Sequence, residues 1–146
     1  MKRFVFMIHE KKAILVVDDD AAICRVLKRI LERRGFYVDT CETGAAASEK
    51  LGINLYDVAL IDLRLPDMDG TDLFGQMNEV EPKMVKIVLT GLPYVENDYE
   101  SLEGGADAFL SKPVDPEFLL SLIEDKIREK NLDLPVPASP SILIRE

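Results

Sequence analysis

Five short apolar runs set the rhythm of this chain. They are Ala13 to Val17, Phe36 to Cys41, Asp57 to Leu63, Lys83 to Leu89 and Ala106 to Leu110, and charged residues, glycine or proline break each of them. Runs of this length and continuity predict strands buried on both faces, as in a parallel sheet. Between them the period changes to that of a helix. Ile23, Val26, Leu27, Ile30 and Leu31 fall at i, i+3, i+4, i+7 and i+8 and predict one apolar stripe. Arg25, Lys28, Arg29, Arg33 and Arg34 gather toward the C-terminal half of that helix, where its dipole favours cations, and Gly35 stops it. Thr43 is placed to cap a short alanine-rich helix ending near Gly52. Thr71 to Val80 predicts a helix weakened by Gly75 and closed by Pro82. Asp115 and Pro116 form an N-cap and first-turn pair for a last helix whose buried face would be Phe118, Leu119, Leu122, Ile123 and Ile127. The weakest helix signal is 92–105, where Pro93, Asn97, Asp98, Gly104 and Gly105 all oppose it.

Strands that alternate with helices predict an α/β fold with a doubly wound, five-stranded parallel sheet and right-handed crossovers. That topology brings the C-terminal tips of strands one, three, four and five to one edge, where open α/β sheets bind their ligands. The chain has 146 residues, which suits one domain with a real core, expected over 13–130. Residues 1–12 carry a brief apolar run, Phe4 to Ile8, too short for a membrane span or a signal segment, and read as an arm or extra strand. Pro135, Pro137 and Pro140 make 131–146 an extended tail, with no room there for a DNA-binding effector domain. The net charge of −9 argues against nucleic acid or anionic membrane as a direct partner. Cys24, Cys41 and His9 have no metal-ligand spacing, and two cysteines make no disulfide framework, so a cytoplasmic location is the default.

The chemistry lies where the apolar runs end. The first ends in Asp18-Asp19-Asp20, the third in Asp62, the fourth in Thr90 and the fifth in Ser111-Lys112-Pro113. Asp20 alone suits a helix cap, but a cap does not explain three successive acids. If Asp18, Asp19 and Asp62 converge, each close pair repels by roughly 4 kcal/mol at an effective dielectric near 20. Such a cluster raises a pKa or holds a cation, and few hard oxygens suit Mg²⁺ that keeps several waters. Taken singly, Lys112 is a surface lysine, Thr90 a turn residue and Phe109 a core residue. Beside the acids, the hydroxyl and the ammonium complete a set suited to phosphoryl transfer, which depends on positioning and charge neutralisation. No Gly-rich phosphate loop of the GxxxxGK type is present, so the phosphoryl group would come from a donor other than bound ATP, and a carboxylate can accept it.

Four stretches in this order and spacing, ILVVDDD at 14–20, LIDLRLPDMDG at 60–70, VLTG at 88–91 and GADAFLSKP at 105–113, resemble the receiver domain of two-component response regulators. The resemblance implies a flavodoxin-like sheet of order 2-1-3-4-5. It implies Asp62 as phosphoacceptor, with Asp18, Asp19, Asp62 and the backbone carbonyl of Arg64 as ligands of Mg²⁺ (or Mn²⁺). It further implies Thr90 as switch hydroxyl, Phe109 as switch aromatic and Lys112 as the phosphate-contacting lysine. The function it implies is a phosphorylation-controlled switch, not an enzyme beyond its own phosphorylation and dephosphorylation. A histidine kinase or phosphotransfer protein would be the donor. A downstream protein or a second copy would be bound through the 92–127 face. A phosphotransferase or phosphatase using Asp62 as nucleophile is the alternative; a haloacid-dehalogenase-like enzyme would want an acid two residues on, where Arg64 stands. The departures from the family pattern are the weak segment 92–105 and the lack of an effector domain after residue 130.

Overall fold

The structure, a computed structural model, describes residues 11–91 and 105–130. The expectations for the N-terminal arm up to residue 10, for 92–104 and for the tail 131–146 lie outside the described residues. In chain order the elements are β1 (Ala13–Val17), α1 (Ala21–Arg33), β2 (Tyr37–Cys41), α2 (Gly44–Leu51), β3 (Val58–Asp62), a 3₁₀ turn (Gly70–Leu73), α3 (Phe74–Val80), β4 (Val85–Thr90), β5 (Ala108–Ser111) and α4 (Pro116–Lys130). The strands form one parallel sheet in the order β2-β1-β3-β4-β5. This is the flavodoxin-like arrangement that the resemblance implied. The chain leaves β1 toward one side and returns to β3 on the other, so the ends of these two strands flank the topological switch point.

Side chains alternate across β1, β3 and β4 and feed two cores, one on each face. Ile14, Val16, Leu60 and Ile87 pack with Leu27 and Leu31 of α1 and with Leu119 and Ile123 of α4. Leu15, Val17, Ile61 and Val88 pack with Leu51 of α2, Met77 of α3 and Met84. Burial on both faces is why these strands read as unbroken apolar runs rather than alternating ones.

Three local expectations need correction. In α1 the buried residues are Cys24, Leu27 and Leu31, while Val26 is 54% exposed and Ile23 and Ile30 are only partly buried. The helix is turned so that Cys24 meets the sheet, its thiol donating to the Asp18 carbonyl at 3.3 Å. The outer part of the stripe lines an open groove with Pro113, Val114 and Pro116. In α4 the buried face is Leu119, Leu120, Ile123 and Ile127, and Phe118 is exposed. The helix expected from Thr71 begins as a 3₁₀ turn, because Asp69 takes the Thr71 amide on its side chain and the Asp72 amide on its carbonyl, and α-helical bonding starts only at Phe74. Among the described residues no helix is long and apolar enough to cross a membrane.

Candidate functional site

The crevice at the C-terminal edge of the sheet is built from strand ends. Asp18 follows β1 directly and is fully buried; Asp19 beside it is exposed. Asp62 closes β3, buried to 8% exposure. One carboxylate oxygen from each of Asp18, Asp19 and Asp62 lies within 4.8 Å of the others. Asp20 turns away to cap α1, accepting from the amides of Ala22 and Ile23, so the helix-cap reading holds for this acid and not for its two neighbours.

Lys112 reaches in from the segment after β5. Its Nζ stands 2.7 Å from Asp18 Oδ2 and 3.1 Å from Asp62 Oδ2, bridging the two buried acids. Burial raises the Asp18 pKa above 3.8, against the opposing pull of Lys112 and the Asp20 amide. The same burial works against the Lys112 ammonium, but its two acid partners outweigh it and the pKa is raised. Asp18 Oδ2 takes no hydrogen bond of good geometry from any described residue, although the ammonium is close. A buried carboxylate oxygen with an unused lone pair, two further carboxylates within reach and only oxygen donors suit a hard divalent cation. On this observation the residues fit the Mg²⁺ that the resemblance implied.

Thr90 ends β4, buried, with its hydroxyl donating to the Gly91 carbonyl at 3.2 Å. Asp62 is in register with Leu89, which puts Thr90 one position beyond it on the adjacent strand. Phe109 pairs with Val88 and packs, partly buried, on the α2–α3 core. By strand alternation it shares a face with Val88 and Thr90. Arg64 is exposed, and its amide donates to Asp62 Oδ1 at 3.0 Å, folding the β3–α3 loop back over the acid.

How this loop is held was not legible in the sequence. Arg64 and Asp69 form an isolated antiparallel bridge, and the Gly70 amide donates to the Leu63 carbonyl at 2.7 Å. A Cβ at Gly70 would lie 2.6 Å from the Asp62 carbonyl oxygen and 2.9 Å from Ile61 Cγ2, so only glycine lets the loop close so tightly on β3. Asp67 takes the amides of Gly44 and Ala45, at 2.8 and 2.9 Å. A glycine and acids in a turn were the only local signals of this.

A parallel α/β sheet with three carboxylates and a lysine meeting at its carboxyl edge belongs to the flavodoxin-like class that works at this crevice. The family model for the response regulator receiver domain matches residues 14–124, and the chain belongs to that family. It is 33% identical over 123 residues to the transcriptional regulatory protein GlrR of Escherichia coli K12, covering 84% of this chain and 28% of that protein. It is 31% identical over 133 residues to ZraR of the same organism, covering 90% of this chain and 30% of the relative. The chain thus spans less than a third of the length of these relatives. Among solved structures it is similar to a CheY-like receiver domain protein from Methanospirillum hungatei JF-1, with 40% identity, a TM-score of 0.79 and coverage of 86% of this chain and all of that one. It also resembles the beryllofluoride-activated NtrC4 receiver domain dimer, at 34% identity and TM-score 0.75, over 81% of this chain and 98% of that one.

Proposed function

We propose that this chain is a phosphorylation-controlled signalling switch in which Asp62 accepts the phosphoryl group and changes what the protein binds. The single observation that carries the reading is the convergence of Asp18, Asp19 and Asp62 with Lys112 at the switch point of the sheet. Asp18 and Asp19, with Asp62 and the Arg64 carbonyl, would hold Mg²⁺, which when bound neutralises charge on the transferring phosphoryl oxygens. The remaining work falls to the chain itself. An Asp62 carboxylate oxygen attacks phosphorus and forms the acyl phosphate. The bond from phosphorus to the donor's nitrogen or oxygen breaks, and the leaving group keeps the electron pair and takes a proton from water. Lys112 stands ready to pair with the incoming oxygens, and Thr90 offers a hydroxyl on the adjacent strand. The donor is a histidine kinase or a phosphotransfer protein, and the acceptor of the signal is a downstream protein or a second copy of the chain, reached through the 92–127 face. The cytoplasm is the fitting compartment for such a donor.

Intact-mass measurement after incubation with a small phosphodonor and Mg²⁺ tests this. Wild type should gain the mass of one phosphoryl group and Asp62→Asn should gain none. Equal labelling of the variant removes Asp62 from the role.

A further inference from the structure

The loop that joins β3 to α3 leaves the site at Asp62 and passes through Arg64, whose carbonyl is an expected metal ligand. Its base is closed by the Arg64–Asp69 bridge and the Gly70-to-Leu63 hydrogen bond. Its tip is fastened elsewhere. Both oxygens of the exposed Asp67 carboxylate are used, Oδ1 by the Gly44 amide and Oδ2 by the Ala45 amide, the first two residues of α2. Thr43 Oγ1 takes the third amide, from Ala46, so three of the helix's free N–H groups are satisfied, two by a residue more than twenty positions away. Met68 lies directly on Gly44: a Cβ there would fall 2.3 Å from the Met68 sulfur. The tip of the loop is therefore seated on the start of α2 by a charge-assisted fork and by close packing.

We infer that Asp67 is a positioning residue for the metal site: by clamping the loop tip to α2 it fixes the height of the Arg64 carbonyl above Asp18, Asp19 and Asp62. The inference rests on the metal-site reading proposed above. A local cap would hold α2 as well from Thr43 or a neighbour. A cap supplied from the loop ties two otherwise separate segments, and groups that orient a ligand typically matter on the order of 10- to 100-fold for metal affinity. The two amide donors also hold the Asp67 carboxyl below its usual range, as suits an anion bound through both oxygens.

The experiment is Mg²⁺ titration by calorimetry on the full chain, in wild type, Asp67→Ala, Asp67→Asn and Thr43→Ala, with a thermal melt of each in chelator. Asp67→Ala should weaken Mg²⁺ about tenfold. Asp67→Asn, which keeps one acceptor, should fall between. Thr43→Ala removes a cap of the same helix outside the loop, so it should lower the melting temperature and leave Mg²⁺ affinity alone. Unchanged affinity in Asp67→Ala overturns the inference and leaves the function intact. So does equal weakening in Thr43→Ala, which would make helix stability the cause. If wild type binds no Mg²⁺, the metal-site reading and the inference fall together.

Discussion

Replacing Lys112 with methionine should cost stability in a way that depends on both pH and Mg²⁺. The side chain keeps its length and loses only the ammonium that sits 2.7 Å from Asp18 and 3.1 Å from Asp62. A charge pair at about 3 Å attracts by roughly 5 kcal/mol at an effective dielectric near 20. Part of that was spent on desolvation, and removing one partner of a buried pair usually costs about 3–5 kcal/mol because the other charge is stranded. Lys112 is 20% exposed and Asp18 not at all, so the lower end, about 3 kcal/mol, is the fitting figure. For a chain of this size that lowers the melting temperature by roughly 10 °C. The pH dependence follows from Asp18, whose pKa burial already raises above 3.8 and which loses its nearest cation in the variant. A carboxyl with a raised folded-state pKa binds protons more tightly when folded, so its protonation favours folding as pH falls from neutral into the window just above the ordinary carboxylate range. The deficit should thus be largest near neutral pH and narrow toward about pH 5. Saturating Mg²⁺ should also narrow it, because the cation meets the same three acids without a competing ammonium. Thermal melts of both proteins in chelator and in Mg²⁺ at the two pH values decide the matter. A deficit independent of pH and of Mg²⁺ would show that lost packing, not stranded charge, was responsible.

Mg²⁺ should raise the melting temperature of wild type by mass action, and Asp19→Ala should shrink that rise while hardly moving the melt in chelator, since Asp19 is exposed; a rise of equal size in the variant refutes its part in the site. Gly70→Ala should destabilise by about 1–3 kcal/mol, measured by denaturant unfolding, because its Cβ would lie 2.6 Å from the Asp62 carbonyl. Arg64 lies two residues beyond Asp62, with its amide bonded to that carboxylate; if its long side chain hinders water at the acyl phosphate, the phosphorylated Arg64→Asn variant should decay faster than wild type, and slower decay refutes it. Phosphorylation should change hydrogen exchange along β4 and β5 from Thr90 to Lys112 as well as in the Asp62 loop; a change confined to the loop means the signal leaves elsewhere.

The sheet was legible because burial on both faces leaves β1, β3 and β4 no polar alternation to obscure them, and the acids of the site stood out as the points where those runs break. What faces what was less legible. The α1 stripe holds more apolar residues than the sheet can cover, so periodicity alone could not choose Cys24 over Val26. Phe118 misled for the same reason, since its neighbour Leu120 competes for the buried face. Lys86 is a sharper case. It sits inside β4, 2% exposed, with its ammonium donating to Asn78 Oδ1 at 3.0 Å and to the Met84 carbonyl at 3.2 Å. Burial lowers its pKa. A lysine in an apolar run gives no sign that a helix one connection earlier will satisfy it. The Asp67 clamp is equally silent, because its partners lie across the fold rather than at any local period.

The burial of the three acids differs, and that difference bears on how the switch rests. Asp19 is exposed to water. Asp18 is fully buried, so either a cation faces it or its carboxyl takes up a proton, and in this structure the cation is Lys112, held between Asp18 and Asp62. A phosphoryl group on Asp62 would add about −1.5 to −2 of charge and three strong acceptors within reach of the same ammonium. Lys112 would then be drawn to the phosphoryl oxygens, and Asp18 would depend on the metal alone. On the proposed function, phosphorylation and metal binding would be coupled through this one charge: the metal would take over the acids that the lysine leaves, and the phosphoryl group would take the lysine that the metal displaces. Lys112 is joined to β4 by its own amide, which donates to the Thr90 carbonyl at 2.7 Å. The residue that carries the ammonium is thus bonded directly to the strand end that carries the hydroxyl, two residues beyond Val88, the register partner of Phe109.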